Sequence, residues 1–321
     1  MRMKPMLIVL PILLLFAAAG ASFYQWRSTY VASDITLVIE PHHGSQAVLG
    51  QLHDQGVLPS PAIIAIPLVL SGHLSQLKAG EYAFTAGMTP AQVIEQIARG
   101  LVVIHKVTIP EGWNLFQIRT AFMAEPLLTG DWPAGVTEGS LFPDTMRFQR
   151  GQSRASLVDA MQKHAAEMIA KEWAARDPLL SLKTPAEALV MASMVEKETG
   201  VPQERAMVAG VFYNRLKIGM KLQSDPTVVY GIEAAHGGQP LGRALTSADL
   251  ASDTPYNSYT RAGLPPGPIC NPGLASLQAA LHPATTDALY FVATGHGGHN
   301  FSSSLAQHES NVAAYRQATH R

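Results

Sequence analysis

The pattern of apolar and polar positions separates an uncharged N-terminal stretch from a long series of mixed helices and strands. Residues 6–26 carry no charged side chain and are long enough to cross a bilayer as one helix. Strands are predicted at 34–40, 102–109, 288–294 and 299–302, and helices at 45–55, 61–71, 90–100, 115–122, 156–176, 185–200, 202–219, 274–282 and from 304 onward. This mixture predicts an α+β fold.

The chain divides into four segments along this pattern. We predict a cytoplasmic tail at 1–5, a transmembrane signal anchor at 6–26, a small α+β module at 35–104 and a larger mixed α+β domain at 105–321. The residues that could take part in catalysis are concentrated in the larger domain. Catalysis is therefore expected there rather than in the smaller module.

The charges around the apolar stretch set its orientation. Arg2 and Lys4 precede it, and positive flanks stay in the cytoplasm, so the rest of the chain is expected to be exported. Tyr24 and Trp26 are expected at the outer interface of that membrane, where aromatic side chains are enriched. A cleavable signal peptide is the alternative, because 19–21 read Ala-Gly-Ala, although such peptides usually have only about 7–15 apolar residues.

The composition excludes several classes of protein. The chain has 321 residues, 47% of them hydrophobic, which supports folded domains with proper cores. With a formal net charge of -1, the chain lacks the excess of basic residues that is typical of proteins that bind nucleic acid. Cys270 is the single cysteine, which excludes an internal disulfide and a cysteine-rich zinc site. His296 and His299 lie in a glycine turn without the spacing of a zinc-protease helix, so no metal is expected.

One predicted helix is apolar on most of its sides. Thr184 comes before Pro185, and Glu187 follows three residues after the threonine, which is the pattern of a capping box with proline at the first helical position. Gly200 is expected to end the helix. The last turn of this helix therefore carries the sequence Val-Glu-Lys-Glu.

The two glutamates of that last turn point in different directions. At about 100° per residue, Glu196 shares a stripe with Leu189, whereas Glu198 lies roughly 200° away, beside Met191 and Met194. The two acids therefore cannot flank one bond. On a mostly apolar stripe Glu196 loses solvation of its charged form, so we expect it to hold and donate a proton near neutrality. The alternative is a core helix whose terminal Glu-Lys-Glu faces water.

Six short motifs follow one another through the second half of the chain. They are Ala-Ser-Met-Val-Glu-Lys-Glu-Thr at 192–199, Val-Phe-Tyr-Asn-Arg-Leu at 211–216, Gly-Met-Lys-Leu-Gln-Ser-Asp-Pro-Thr at 219–227, Tyr-Asn-Ser-Tyr-Thr at 256–260, Gly-Leu-Pro-Pro-Gly-Pro-Ile at 263–269 and Gly-His-Asn-Phe at 298–301. In this order the chain resembles the YceG-like endolytic murein transglycosylases. The resemblance continues upstream through 109–112 and 138–144 and covers nearly the whole exported part.

The resemblance implies an enzyme that cuts the glycan strands of peptidoglycan internally. Glu196, the first glutamate of 195–198, would be catalytic, the module at 35–104 would be LysM-like, and no cofactor would be needed. Residues 6–26 would anchor the enzyme in the inner membrane, with the catalytic domain at 105–321 in the periplasm. Peptidoglycan strands, the lipid bilayer and peptidoglycan synthases are the expected partners, and ending strand elongation is the expected role.

A lytic transglycosylase needs fewer acids than an ordinary glycosidase, which flanks the bond with two carboxyl groups about 5–9.5 Å apart. Glu196 would protonate the glycosidic oxygen between MurNAc and GlcNAc. As a carboxylate it would then take the proton of the MurNAc C6 hydroxyl, which closes on C1. The product is a 1,6-anhydroMurNAc end, formed without water because the intramolecular hydroxyl has a high effective molarity.

Polar and aromatic residues of the motifs are the candidates for holding the glycan. These substrate-binding candidates are Gln223, Ser224, Asp225, Tyr256, Asn257, Tyr259 and Asn300. Asp225 before Pro226 equally fits a helix cap or a turn. Two other functions stay open: a membrane-tethered peptidoglycan-binding scaffold without turnover, and a muramidase that adds water with Asp225 or another acid as its second acid.

Overall fold

A computed structural model gives the fold of residues 6–319. In that part of the chain twelve α-helices and six short strands confirm the predicted α+β fold. The chain forms two compact units, Met1–His105 with Arg147–Gln152 and Lys106–Met146 with Ser153–Arg321. The described strands pair in three two-stranded sheets.

The first unit combines helices with one antiparallel sheet. Its elements are α1 (Met6–Arg27), β1 (Ile35–Ile39), α2 (Ser45–Asp54), α3 (Ala65–Leu70), β2 (Gly80–Phe84) and α4 (Pro90–Arg99). β1 pairs with β2 so that Ile35 lies opposite Phe84. Thr89 caps α4 through a capping box, because its side chain accepts from the Gln92 NH and the Gln92 side chain accepts from the Thr89 NH. The sheet and helices enclose one apolar core.

Helix α1 covers the residues of the predicted anchor, 6–26. Within the part of the chain that the structure describes, no helix has both the length and the apolar character needed to cross a membrane. The predicted cytoplasmic tail at 1–5 lies outside the described residues. The membrane-spanning role of 6–26 therefore stays a prediction.

The end of α1 is part of the first unit's core. Trp26 is 8% exposed and packs into that core, so the expectation that it lies at a membrane interface is wrong. After α1 the chain stays fixed to the unit, because the NH groups of Tyr30 and Val31 donate to the Met88 carbonyl at 3.0 and 3.2 Å. α1 also packs against α3 and α4. The helix and the unit therefore form one folded body.

The rest of the chain is richer in helices. The elements from residue 105 onward are β3 (His105–Thr108), α5 (Leu115–Ala124), β4 (Thr145–Phe148), α6 (Arg154–Ala174), α7 (Pro185–Glu198), α8 (Arg205–Lys217), α9 (Asp225–Ala235), α10 (Ser247–Leu250), α11 (Leu274–Leu281), β5 (Tyr290–Ala293), β6 (His299–Ser302) and α12 (Leu305–Thr319). β3 pairs with β4, and β5 pairs antiparallel with β6. The predicted strands at 288–294 and 299–302 are thus the two arms of a hairpin.

Helix α7 lies at the centre of the second unit because it is apolar on most sides. Met191, Ala192, Met194 and Val195 are fully buried. The helix packs against α6, α8, α9 and α11, so its neighbours surround it and only its ends can reach solvent freely. A polar side chain in its last turn is consequently placed where the core meets the surface.

The ends of α7 follow the prediction with two differences. Thr184 Oγ1 accepts from the Glu187 NH at 3.2 Å, as a cap should. The Glu187 carboxylate, however, accepts from the Lys183 NH at 2.5 Å and not from the Thr184 NH, so the capping box is incomplete. The residue that ends the helix is Thr199, in extended conformation, and not Gly200.

No helix is predicted at 225–235, although Asp225 before Pro226 fits either a helix cap or a turn. Proline is tolerated in the first turn of a helix because its missing NH has no partner there. Ser224 is the residue before the helix, and Thr227 and Val228 are fully buried. Asp225 thus stands at a helix N-terminus, where its negative charge is favoured.

Candidate active site

The C-terminal end of α7 opens onto a cleft with a volume of about 520 Å³. Its wall includes Glu198 of α7, Arg215 of α8, Gln223 and Asp225 at the start of α9, Tyr259, and His299 of β6. All of these residues belong to the second unit. The motifs of several distant sequence segments therefore meet in one place, which is the candidate active site.

Glu198 is the buried acid of this cleft. Its Oε1 is buried and accepts no hydrogen bond within the described residues. Burial raises the pKa of Glu198 to about 7, against the opposing effect of the Ser224 hydroxyl. The negative charge of Asp225 adds to the rise, and the Arg215 guanidinium limits it. A large fraction of this acid is protonated near neutral pH, as a proton donor requires.

Arg215 is held rigidly in the wall of the cleft. Its Nε donates to the Leu289 carbonyl at 2.7 Å, and its Nη1 donates to the Leu222 carbonyl at 2.5 Å. The guanidinium carbon lies 5.7 Å from the centre of the Tyr290 ring. These contacts fix a positive charge within electrostatic reach of Glu198, and that charge keeps the rise in the pKa of the acid moderate.

The segment before α9 combines backbone strain with close hydrogen bonding. Gln223 has a φ of 48°, in the left-handed region that residues other than glycine rarely adopt. Its NH donates to the Ser258 carbonyl at 3.1 Å, and the Ser224 NH donates to Ser258 Oγ at 2.9 Å. The Tyr259 hydroxyl donates to Asp225 Oδ1 at 2.5 Å. Strain that surrounding bonds maintain is typical of functional sites, and here it lies in the wall of the cleft.

Glu196 lies on a different side of α7 from Glu198, as the helical geometry predicts. Its Oε2 accepts a hydrogen bond from the Gly273 NH at 3.1 Å, and its Cγ would be 3.4 Å from a Cβ placed on Gly112. Glu196 is partly exposed and does not line the cleft. The sequence predicts reduced solvation for Glu196, and the structure shows the stronger burial, beside a cleft, at Glu198.

The predicted glycan-binding residues separate into two groups. Gln223, Ser224, Asp225 and Tyr259 lie in the wall of the cleft or directly beside Glu198. Tyr256 instead packs edge-on against Tyr230, with ring centres 4.7 Å apart. Asn257 is fully buried, and its amide donates to the Leu250 carbonyl at 3.0 Å. Asn300 is exposed on the face of β6 away from His299 and does not line the cleft.

Glu138 is a second acid with an unusual pKa, outside this cleft. Burial raises the pKa of Glu138 to about 7. Both of its oxygens accept from the Leu115 NH at 3.0 Å, and Oε1 also accepts from Asn271 Nδ2 at 2.9 Å. The Tyr230 hydroxyl is a further hydrogen-bond partner. These bonds tie separate loops together, which is a structural role.

Two residues of the cleft were not selected from the sequence, although signals for them existed. Glu198 shares its helical stripe with Met191 and Met194, and both methionines are fully buried, so that stripe faces the core. The sequence assigns no role to His299, because its glycine turn lacks the spacing of a metal site. Its carboxylate partner in the structure, Glu204, is 95 residues away along the chain, so no local pattern could reveal the pair.

Comparison with known proteins gives consistent matches over most of the chain. The sequence profile of the YceG-like family matches residues 37–314. The chain is 33% identical over 273 residues to the endolytic murein transglycosylase of Bacillus subtilis (strain 168), which covers 75% of this chain and 74% of that protein. It is 31% identical over 296 residues to the endolytic murein transglycosylase of Streptococcus pneumoniae R6, which covers 75% of this chain but only 51% of that longer protein. A crystal structure of a yceG-like protein from Listeria monocytogenes aligns with a TM-score of 0.55 and 30% identity, covering 87% of this chain and 98% of that one.

Proposed function

Because this chain belongs to the YceG-like family, we propose that it is an endolytic lytic transglycosylase of peptidoglycan. It would cleave the bond between MurNAc and GlcNAc within glycan strands and leave 1,6-anhydroMurNAc ends. The names of its relatives support the substrate. The observation that carries the chemistry is a cleft-lining glutamate, Glu198, with a pKa of about 7.

Glu198, rather than Glu196, is the proposed general acid. Its side chain lines the cleft, and its Oε1 is buried without a hydrogen-bond partner in the described chain, so the protein leaves part of the hydrogen-bonding capacity of this carboxyl unused. It shares the cleft with Asp225 and Tyr259. Glu196 instead accepts the Gly273 NH outside that cleft.

In the proposed reaction, protonated Glu198 donates its proton to the glycosidic oxygen while the bond from C1 of MurNAc to that oxygen breaks. The C6 hydroxyl of the same MurNAc attacks C1 and loses its proton to a base in the cleft. Positive charge that develops on the sugar ring is stabilised by the negative side chain of Asp225, which Tyr259 holds in place. Water takes no part in the product.

The position of Asp225 also favours a second candidate function. A second carboxyl group in the same cleft is what a muramidase would use to activate water or to form a covalent intermediate. Both reactions break the same glycosidic bond. They differ in the end that they leave on MurNAc.

The product of the full-length protein on purified peptidoglycan separates these functions. Mass spectrometry is expected to find anhydro ends, which borohydride does not reduce. Reducing MurNAc ends that take up hydride would establish the muramidase instead. The absence of any cleavage at high enzyme loading would favour the non-catalytic scaffold.

A pair of variants two residues apart tests the identity of the general acid. Glu198→Gln is expected to slow product formation on the order of 10²–10⁴-fold, because the amide cannot donate the proton. Glu196→Gln is the matched control and is expected to keep most of the activity. The opposite ranking would return the role of general acid to Glu196.

We also propose that residues 6–26 anchor the enzyme in the inner membrane with the catalytic part in the periplasm. The uncharged sequence of this stretch and the preceding Arg2 and Lys4 support the anchor. Extraction from membranes by detergent but not by high salt would agree with it. A soluble form that begins after Ala21 would show a cleaved signal peptide. The LysM-like nature of 35–104 and the partnership with peptidoglycan synthases stay predictions.

A further inference from the structure

A histidine held by a carboxylate lies in the same cleft as Glu198. His299 Nδ1 is 2.7 Å from Glu204 Oε2, and the His299 NH donates to Glu204 Oε1 at 2.8 Å. The hydroxyl of Thr199, the residue after α7, donates to Glu204 Oε2 at 3.2 Å. Glu204 therefore links the end of the helix that carries Glu198 to the strand that carries His299.

These bonds determine which ring nitrogen of His299 holds the proton. Burial tends to raise the pKa of Glu204, but the hydrogen bonds from His299 and Thr199 outweigh it, so the pKa is lowered. An ionised carboxylate only accepts hydrogen bonds, so Nδ1 of His299 donates, and in the neutral imidazole Nε2 then holds the lone pair. Among the described residues Nε2 has no hydrogen-bond partner and is not buried. Because His299 lines the cleft, this lone pair is available to a ligand there.

The surrounding packing holds the imidazole in one orientation. The Phe291 ring meets it edge-on with centres 5.5 Å apart, and the Phe301 ring centre lies 6.3 Å away. A Cβ on Gly298 would lie 2.6 Å from Glu204 Oε1, so the carboxylate packs closely against the glycine, whose φ of 81° also favours glycine. A carboxylate that fixes one ring nitrogen and leaves the other free is how histidine bases are oriented in enzymes.

We propose that His299 is the base that takes the proton of the MurNAc C6 hydroxyl, with Glu204 as its positioning residue. The inference rests on the proposed function, in which Glu198 donates the other proton. The bond from O6 to C1 forms as the bond from C1 to the glycosidic oxygen breaks. The Glu198 proton goes to GlcNAc O4, and the C6 hydroxyl proton goes to His299 Nε2. The imidazolium is paired with Glu204 until solvent carries its proton back to the Glu198 carboxylate.

The other histidine in the wall of the cleft lacks these features. His308 stacks on the Tyr290 ring with centres 5.1 Å apart, and its Nδ1 is buried without a partner in the described chain. Burial and the charge of Arg215 lower the pKa of His308, which makes it a weaker base. No carboxylate is hydrogen-bonded to its ring within the described residues. His308 is therefore a suitable comparison for His299.

His299→Gln is the first test, because glutamine keeps a polar side chain that cannot take up a proton. We expect kcat to fall on the order of 100-fold or more with KM changed less than about threefold, since general bases contribute about 10²–10⁴. His308→Gln is expected to lose much less. A kcat close to that of the wild type, or a raised KM with unchanged kcat, would overturn the proposal.

Chemical rescue separates proton transfer from a structural role. His299→Ala is expected to regain part of its kcat when imidazole is added. Pyrazole has the same ring shape but is a far weaker base, and it is expected to have no effect. Equal rescue by both compounds would mean that the ring only fills space, and the proposal would be rejected.

Glu204→Gln covers the case in which the His299 variants fail to fold, since the amide has almost the shape of the carboxylate. Its NH₂ group would face Nδ1 and reverse the tautomer of His299, so that Nε2 carries the proton and cannot act as a base. We expect kcat to fall by about tenfold or more, with an unfolding temperature like that of the wild type. Wild-type kcat in a folded Glu204→Gln protein would contradict the inference.

The results also separate this inference from the proposed function. A wild-type protein that makes no anhydro ends, or a fully active Glu198→Gln variant, would refute the proposed function. Anhydro ends that depend on Glu198 but form at full rate in both His299→Gln and Glu204→Gln would refute only the inference. The C6 proton would then go to the Glu198 carboxylate.

Discussion

Glu138 and Glu198 are two acids of the same unit whose pKa lies near 7, and they differ in what their oxygens contact. The oxygens of Glu138 accept hydrogen bonds from the Leu115 NH and the Asn271 amide. Oε1 of Glu198 has no such partner in the described chain, and the residue opens onto a cleft. Burial is the largest cause of the raised pKa in both.

The difference shows that a raised pKa does not by itself identify a catalytic acid. Glu138 has the pKa of a proton donor but is occupied by bonds that hold loops together. Glu198 has the same pKa, an unused oxygen and access to a ligand. An unmet hydrogen-bonding capacity separates the catalytic candidate from the structural one.

The largest expected effect is on turnover and affects only one of the two acids. Glu198→Gln is expected to lower kcat on the order of 10²–10⁴-fold, the usual contribution of a general acid. Glu138→Gln keeps the shape and most hydrogen bonds and is expected to stay within about tenfold of the wild type. The kcat of both variants is measured from the rate at which soluble fragments are released from labelled peptidoglycan. Equal losses in the two variants would remove the distinction between the acids.

The next effect is on stability and has the opposite ranking. Glu138→Ala leaves the Leu115 NH, the Asn271 amide and the Tyr230 hydroxyl without their partner, which should cost on the order of 4 kcal/mol of unfolding free energy. Glu198→Ala leaves few groups unpaired, so its cost should be about 1 kcal/mol or less. Urea unfolding measures both. A larger loss at Glu198 would make it the structural acid.

The two acids should also make stability fall as the pH rises. A raised pKa means that the folded state holds the proton more tightly than the unfolded state, so the contribution is complete below about pH 4.5 and is lost as the pH approaches 7. The shift from 4.5 to about 7 corresponds to roughly 3 kcal/mol for each acid.

Unfolding free energies at pH 5 and pH 8 test this dependence. Glu138→Gln and Glu198→Gln are each expected to reduce the difference between the two pH values by most of one acid's contribution. A difference that neither variant changes would mean that these carboxyl groups are not protonated in the folded protein near neutrality.

The smallest expected effect concerns Asp225 and Tyr259, the polar residues that line the cleft together with Glu198. Tyr259→Phe removes the hydroxyl that donates to Asp225 Oδ1 at 2.5 Å and should lower kcat/KM about tenfold, the value of one hydrogen bond to a charged group. Tyr256→Phe is the control from the same motif, since Tyr256 packs on Tyr230. A larger loss at Tyr256 would place that ring in the groove instead.

Sequence patterns predict α7 and α8, which carry Glu198 and Arg215, but not α9, which begins at Asp225. Thr184 and Pro185 marked the start of α7, and the turn angle correctly separated the directions of Glu196 and Glu198. Periodicity shows which residues share a side of a helix but not which side meets a cleft, because the cleft is built by other elements. Both sides of α7 contain apolar residues, so periodicity alone does not decide between Glu196 and Glu198.

Neighbouring residues in one motif can have different roles, and this also limits sequence reasoning. Asn257 and Tyr259 are two positions apart, yet the first is buried with its amide bonded to backbone and the second lines the cleft. The pair of Glu204 and His299 joins segments that are distant in sequence. Such contacts depend on tertiary packing, which no local pattern records.

The burial of Trp26 has a mechanical consequence. If residues 6–26 anchor the chain in a membrane as proposed, no flexible linker separates the bilayer from the first unit, because the end of α1 belongs to the unit's own hydrophobic core. Moving the unit away from the bilayer would then require part of it to unfold. Folded dimensions, and not the length of a linker, would set its distance from the membrane.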